Sequence, residues 1–139
     1  MPSKSVVSSA PPGLTVLPFT MEPGQAGDPF RRWAVEECAN LLQALQGLLR
    51  EAGEQADIAV VVSFGATGDR WERAAMESAL EAVRGAVHSL TPEVGAAARL
   101  NVIACRTGDD ERVAAALRYI ASPGGAYVAG STFDLRQDS

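Results

Sequence analysis

Two apolar runs, Ile58–Val62 and Leu100–Ala104, flank a long stretch, Trp71–Leu90, whose apolar residues recur at helical spacing. Successive side chains of a strand point to opposite sides, so a strand that is apolar at consecutive positions is covered on both faces. Covered strand, helix, covered strand is the unit of a parallel sheet, and it confines the chain to the α/β class. The strands are expected at Asp57–Ser63 and Leu100–Ala104, with the helix between them over Trp71–Leu90.

The remaining segments extend the same alternation. GLTVLPF, Gly13–Phe19, is a short β-prone run, followed by a Gly- and Pro-rich loop, Met21–Asp28. Asp28-Pro29 supplies an N-cap and a first-turn proline for a helix running to about Ala52. Phe30, Trp33, Ala34, Leu41, Leu45 and Leu48 form its core stripe, and Val35, Leu42 and Leu49 form a second seam. A helix lying on a sheet needs one apolar stripe, so the second predicts cover from another helix or another chain. In Trp71–Leu90, Ala75, Ala79, Ala82 and Ala86 follow one side, with Leu80, Val83, Val87 and Leu90 beside them. A further helix, about Asp109–Ala121, starts at Asp109 or Thr107, turns Val113, Leu117 and Ile120 inward and stops at Pro123-Gly124-Gly125. The final strand is expected from Tyr127 to about Leu135. The expected architecture is β-α-β-α-β-α-β: a mostly parallel sheet of about four strands with three main helices in three layers. Residues 13–139 form its single domain, behind a Ser/Pro-rich, flexible tail over 1–12 in which Val6-Val7 offers a scrap of edge strand.

A chain of 139 residues, 47% hydrophobic, is long enough for one domain with a real core. Its net charge of −5 and its lack of a Lys/Arg cluster argue against nucleic acid or an anionic membrane surface as a partner. The two cysteines, Cys38 and Cys105, have neither zinc-site spacing nor the density of a disulfide scaffold, and read as reduced thiols. The amino terminus has no signal-peptide pattern, and no segment approaches the roughly 20 apolar residues of a membrane span. A soluble, cytoplasmic protein is expected.

The order DIAVVVS, FGATGD, RWERAAMESALEAVRGAVHSL, RLNVIAC and RVAAALRYIASPGGAYVAGSTFDL resembles the second half of the short-chain dehydrogenase/reductases, especially the 3-oxoacyl-carrier-protein reductases. The resemblance covers roughly the last three quarters of the chain and rests on the order and spacing of its motifs. Ser63 falls where that family has a catalytic Ser. The family's Tyr-x-x-x-Lys pair falls on Arg73 and Glu77. Asn101 matches its Asn, whereas Cys105-Arg106 replaces its Pro-Gly turn; Ser122-Pro123, Tyr127-Val128 and Gly130 match its later segment. Proton exchange with an alcohol needs a phenol whose pKa is lowered by an ammonium group. A guanidinium cannot be that base, and a carboxylate raises a neighbour's pKa. The Gly-rich dinucleotide turn has no counterpart in the first thirty residues, so the pyrophosphate's helix N-terminus is missing. The resemblance thus implies a truncated Rossmann-like fold with neither catalytic nor cofactor-binding residues of its own. It also implies that the Gly13–Phe19 strand has an open edge, which the amino-terminal tail or a partner chain would cover.

Taken singly, the remaining residues have plainer readings. Gly65–Asp69 would turn the chain more readily than cradle a phosphate, since it lacks a P-loop Lys. Ser63 without a proton-relay partner reads as a strand-end hydroxyl bonded to backbone, Cys105 as a packed thiol, and His88 as a solvated or capping residue near a helix end. Trp33 and Trp71 read as anchors for their helices, with Trp33 also an interface candidate. Glu36-Glu37, Asp109-Asp110-Glu111 and Arg31-Arg32 read as solvated or helix-end charges, with no metal site demanded by their spacing.

In the family the two long helices form a four-helix subunit interface. The expectation is therefore a non-catalytic subunit pairing with a complete short-chain dehydrogenase that carries NAD or NADP and acts on a hydroxyacyl or ketoacyl thioester. Its interface candidates are Trp33, Val35, Leu42, Leu49, Ala75, Ala79, Ala82, Ala86, Val83 and Val87. A homodimer through the same helices is the intermediate case. The rival is a small stand-alone enzyme or anionic-ligand-binding domain using the strand ends near Ser63, Arg73, Cys105 and Arg106, where two arginines would hold a carboxylate or phosphate.

Overall fold

The computed structural model describes residues 11, 13–21, 28–52, 57–90, 99–125 and 128–136, without the side chains of 28–35, 37 and 52. Most of the expected tail, including Val6-Val7, lies outside the described residues. So do the side chains of Phe30, Arg31, Arg32, Trp33, Ala34, Val35 and Glu37.

Strand β1 is Thr15–Met21, helix α1 Asp28–Ala52, β2 Asp57–Phe64, α2 Arg70–Leu90, β3 Arg99–Arg106, α3 Asp110–Ala121 and β4 Thr132–Asp134, with a 3₁₀ turn at Pro123–Gly125 after α3. The four strands pair in chain order, β1-β2-β3-β4, and every pair is parallel. The sequence order is thus realised as a small Rossmann-like α/β sheet with three helices. Pro18 lies in β1, which has a neighbour on one side only among the described residues, as suits a residue with no N–H to give a ladder.

Side-chain parity divides the core in two. Ile58, Val60, Val62 and Phe64 of β2 and Leu100, Val102 and Ala104 of β3 face α1 and α2, packing with Leu41, Leu45, Met76, Leu80, Val83 and Val87. Ala59 and Val61 of β2 and Ile103 and Cys105 of β3 face the other way, against Val113, Leu117 and Ile120 of α3. Each buried Val or Leu contributes about 1.5–3 kcal/mol, and these two layers hold the sheet between the helices. The first two connections step across the sheet with their helices on one face, and the third continues in the same direction with its helix on the other. The β3-α3-β4 crossover therefore has the opposite hand to the two before it, a departure from the near-uniform handedness of such units.

The final strand is shorter than the sequence suggests. Only Thr132–Asp134 joins the ladder, against Val102–Ala104, and Tyr127 lies outside the described residues. Residues 128–131 run beside β3 but are fastened by the fully buried Asn101. Its Nδ2 donates to the carbonyl of Val128 (3.1 Å), and its Oδ1 accepts from the N–H of Ser131 (3.1 Å). Gly130, with φ +70°, bends the segment out of strand geometry. This side-chain clamp adds to two backbone bonds, from the Gly130 N–H to the Leu100 carbonyl (2.7 Å) and from the Val102 N–H to the Ser131 carbonyl (2.8 Å).

No helix among the described residues is long and apolar enough to cross a membrane. Trp71, expected to anchor α2, is 72% exposed, with the Arg70 guanidinium 5.2 Å from its ring centroid. At the first turn of a helix whose inward face is already filled by Met76, Leu80 and Val83, it finds no core to enter.

Candidate functional site

The carboxyl ends of β2 and β3 and the start of α2 enclose a cavity of about 580 Å³. Its lining includes Phe64, Gly65, Ala66 and Thr67 after β2, Arg73, Met76 and Glu77 on α2, Arg106 and Thr107 after β3, and Arg136 beyond β4. The carboxyl edge of a parallel sheet is where α/β proteins place ligands, because the loops there diverge around a crevice.

The register explains which residues reach it. Ser63 pairs with Cys105 and Phe64 with Arg106. Phe64 points to the α1/α2 side, while Cys105 belongs to the α3 side of the core, and strand alternation puts Ser63 with it. The cavity therefore contains Arg73, Glu77 and Arg106 but neither Ser63 nor Cys105. Arg73 and Glu77 share it because residues four apart lie on one face of a helix.

Ser63 bonds a side chain and not the backbone as expected: its Oγ lies 3.4 Å from Cys105 Sγ. Cys105 is 2% exposed, and burial pushes its thiol pKa up, helped by the negative charges of Asp109 and Asp110 and opposed by the Ser63 hydrogen bond. A thiol held neutral in a packed layer is a poor nucleophile.

At Glu77, the position that the dehydrogenase resemblance aligns with Lys, the structure has an ionic wall. Arg136 donates to both carboxylate oxygens of Glu77, to Oδ1 of Asp134 (2.9 Å) and to Oδ2 of Asp134 (2.8 Å). Its guanidinium carbon lies 4.5 Å from the centroid of the Phe64 ring, a cation–π contact. The bonds to Asp134 and then Glu77 drive the Arg136 pKa further up, and the Arg136 hydrogen bond holds the Asp134 carboxyl below its ordinary range. Arg136 was not singled out from the sequence. The available signal was its place just past the last parallel strand, on the same sheet edge as Arg106.

Arg73 differs from Arg136. It is exposed on the first turns of α2, and no described residue pairs with its guanidinium. The loop before it turns the chain as expected: Asp69 Oδ1 accepts the N–H groups of Trp71 (2.7 Å) and Glu72 (3.2 Å), and Thr67 Oγ1 accepts the N–H of Asp69 (3.1 Å). Asp69 thus places a carboxylate at the N-terminus of α2, where the free N–H groups would otherwise draw an anion.

Asp109 occupies the N-cap position of α3, but its side chain makes no capping hydrogen bond; its Oδ2 accepts from the Arg106 N–H at 3.3 Å and lies 4.0 Å from the Arg112 guanidinium. His88 is exposed in the last turn of α2. No group of three or more His, Cys, Asp or Glu suited to a metal is found among the described residues.

The interface candidates separate by burial. Ala79, Val83 and Val87 are buried in the chain's own core, and the half-buried Ala75 and Leu49 pack against it. Inward-facing apolar residues and outward seams have the same helical period, which is why the sequence mixed them. Leu42, at 38% exposure, Ala82 and the half-buried Ala86 face outward, while the side chains of Trp33 and Val35 lie outside the described residues.

No protein-family model matches the chain, and no curated protein matches it.

Proposed function

We propose that this chain is a cytoplasmic, non-catalytic subunit that pairs through α1 and α2 with a complete NAD(P)-dependent short-chain dehydrogenase, which it stabilises or shapes. The observation that carries this reading is the outward face of α1. From Cys38 to Leu49 the helix has no charged residue, although Ala39, Asn40, Leu42, Gln43, Ala44, Gln46 and Gly47 are exposed. An exposed helix face ordinarily carries charge, and the centres of protein interfaces are depleted of it. The small residues Ala39, Ala44 and Gly47, with Ala82 and Gly85 on α2, permit close approach of another helix pair.

The Glu77–Arg136 pair and the lone Arg73 supply the non-catalytic half of the reading. None of the three is the phenol or the ammonium group with which that family works on an alcohol. The coenzyme, NAD or NADP, would belong to the partner subunit. The partner's substrate class, a hydroxyacyl or ketoacyl thioester, follows from the family resemblance alone.

The test is co-expression with a dehydrogenase encoded beside this chain, followed by size-exclusion chromatography with light scattering. A stoichiometric complex that Leu42→Glu disperses, without loss of the chain's own fold by circular dichroism, is expected. A monomer indifferent to that dehydrogenase, or a stable homodimer that excludes it, would overturn the proposal.

A further inference from the structure

Independently of any subunit partner, the cavity at the carboxyl edge has the composition of a ligand site. Its volume of about 580 Å³ suits a small molecule. One side is apolar, formed by Phe64, Met76 and Ala66. Three arginines and one carboxylate make up its charged lining. The charge of Arg136 is matched by Glu77 and Asp134, and these bonds fix it as a wall. Arg73 has no such match among the described residues, and Arg106 lines the same cavity.

We propose that the cavity binds a small organic carboxylate, with its anionic head on Arg73 and its apolar body against Phe64 and Met76. A guanidinium presents two parallel N–H groups that match a carboxylate's two oxygens. The hydroxyls of Thr67 and Thr107 line the same space and supply further donors. A phosphate is disfavoured here. Tight phosphate sites draw on backbone N–H groups at a helix start, and those of Trp71 and Glu72 already serve Asp69, whose own charge repels a dianion.

Titration of the ¹⁵N-labelled chain with hexanoate, hexanamide and hexyl phosphate tests this. Hexanoate should shift the amide signals of Gly65, Ala66 and Thr67 saturably, and hexanamide, the neutral isostere, should not. Arg73→Gln should weaken hexanoate binding about ten-fold, whereas Arg118→Gln, on the exposed side of α3, should leave it unchanged. Equal binding of hexanamide, full affinity in Arg73→Gln, or no shift at about 10 mM hexanoate would overturn the proposal. Tighter binding of hexyl phosphate would overturn the assignment to carboxylates.

Discussion

The neighbouring glycines Gly124 and Gly125 should respond very differently to the same substitution. A Cβ on Gly125 would lie 2.2 Å from the carbonyl oxygen of Tyr119, 2.8 Å from that of Ile120 and 2.9 Å from the Ile120 Cα. All three are backbone atoms of the last turn of α3, so no rotamer change relieves the clash and the 3₁₀ turn itself must move. Arg99 is anchored to that turn, donating to the carbonyls of Ile120 (3.1 Å) and Gly125 (2.6 Å) while its other nitrogen bonds Asp57 (2.6 Å). Overpacking of this kind costs about 1–3 kcal/mol, and a weakened charge-assisted hydrogen bond adds about 1.5 kcal/mol. Gly125→Ala is therefore expected to destabilise the chain by about 3 kcal/mol, a large part of a domain's usual margin. A Cβ on Gly124 meets only Ser122 Oγ at 3.6 Å and Tyr119 Cε1 at 3.7 Å, which is ordinary contact. Gly124→Ala should stay within about 0.5 kcal/mol of the parent. Urea denaturation followed by circular dichroism measures both, and the Gly125→Ala midpoint should fall by about 1–2 M. Equal losses in the two variants, or a Gly125→Ala loss below about 1 kcal/mol, would refute the steric argument.

Asn101→Ala should cost about 2–4 kcal/mol in the same assay, since it orphans the carbonyl of Val128 and the N–H of Ser131 beside a buried strand; hydrogen exchange of Ser131 should rise in parallel, and an unchanged rate would count against the clamp. Cys105, with its pKa raised in the folded state, contributes a stability that is fully present below the unfolded thiol's pKa and lost as pH rises through the folded value. At pH near 8 its alkylation by iodoacetamide should be at least about 100-fold slower in the native chain than in urea, read by peptide mass, because both burial and protonation protect it; comparable rates would show the layer to be open.

The alternation of strands and helices was legible because consecutive apolar residues such as Ile58–Val62 need cover on both faces. Arg73 and Glu77 meet in one cavity as their four-residue spacing implies. What the sequence withheld is long-range. Parity says that Ser63 and Phe64 point to opposite sides, but only the packed helices decide which side holds the cavity. The role of Arg136 depends on Glu77, far away in the chain, and on a segment whose path is set by Asn101. Val83 and Val87 looked like partner-facing residues because a helix's period does not tell whether its neighbour belongs to the same chain.

Strand order that follows chain order has a consequence for how the molecule comes into being. No strand has to be inserted between two earlier ones, so each strand can dock on the growing edge as it leaves the ribosome. The segment Thr132–Arg136, which follows β3 and α3 in the chain, supplies the ionic wall at Phe64. During synthesis β1, β2 and β3 therefore come together before the Arg136 wall of the crevice is in place.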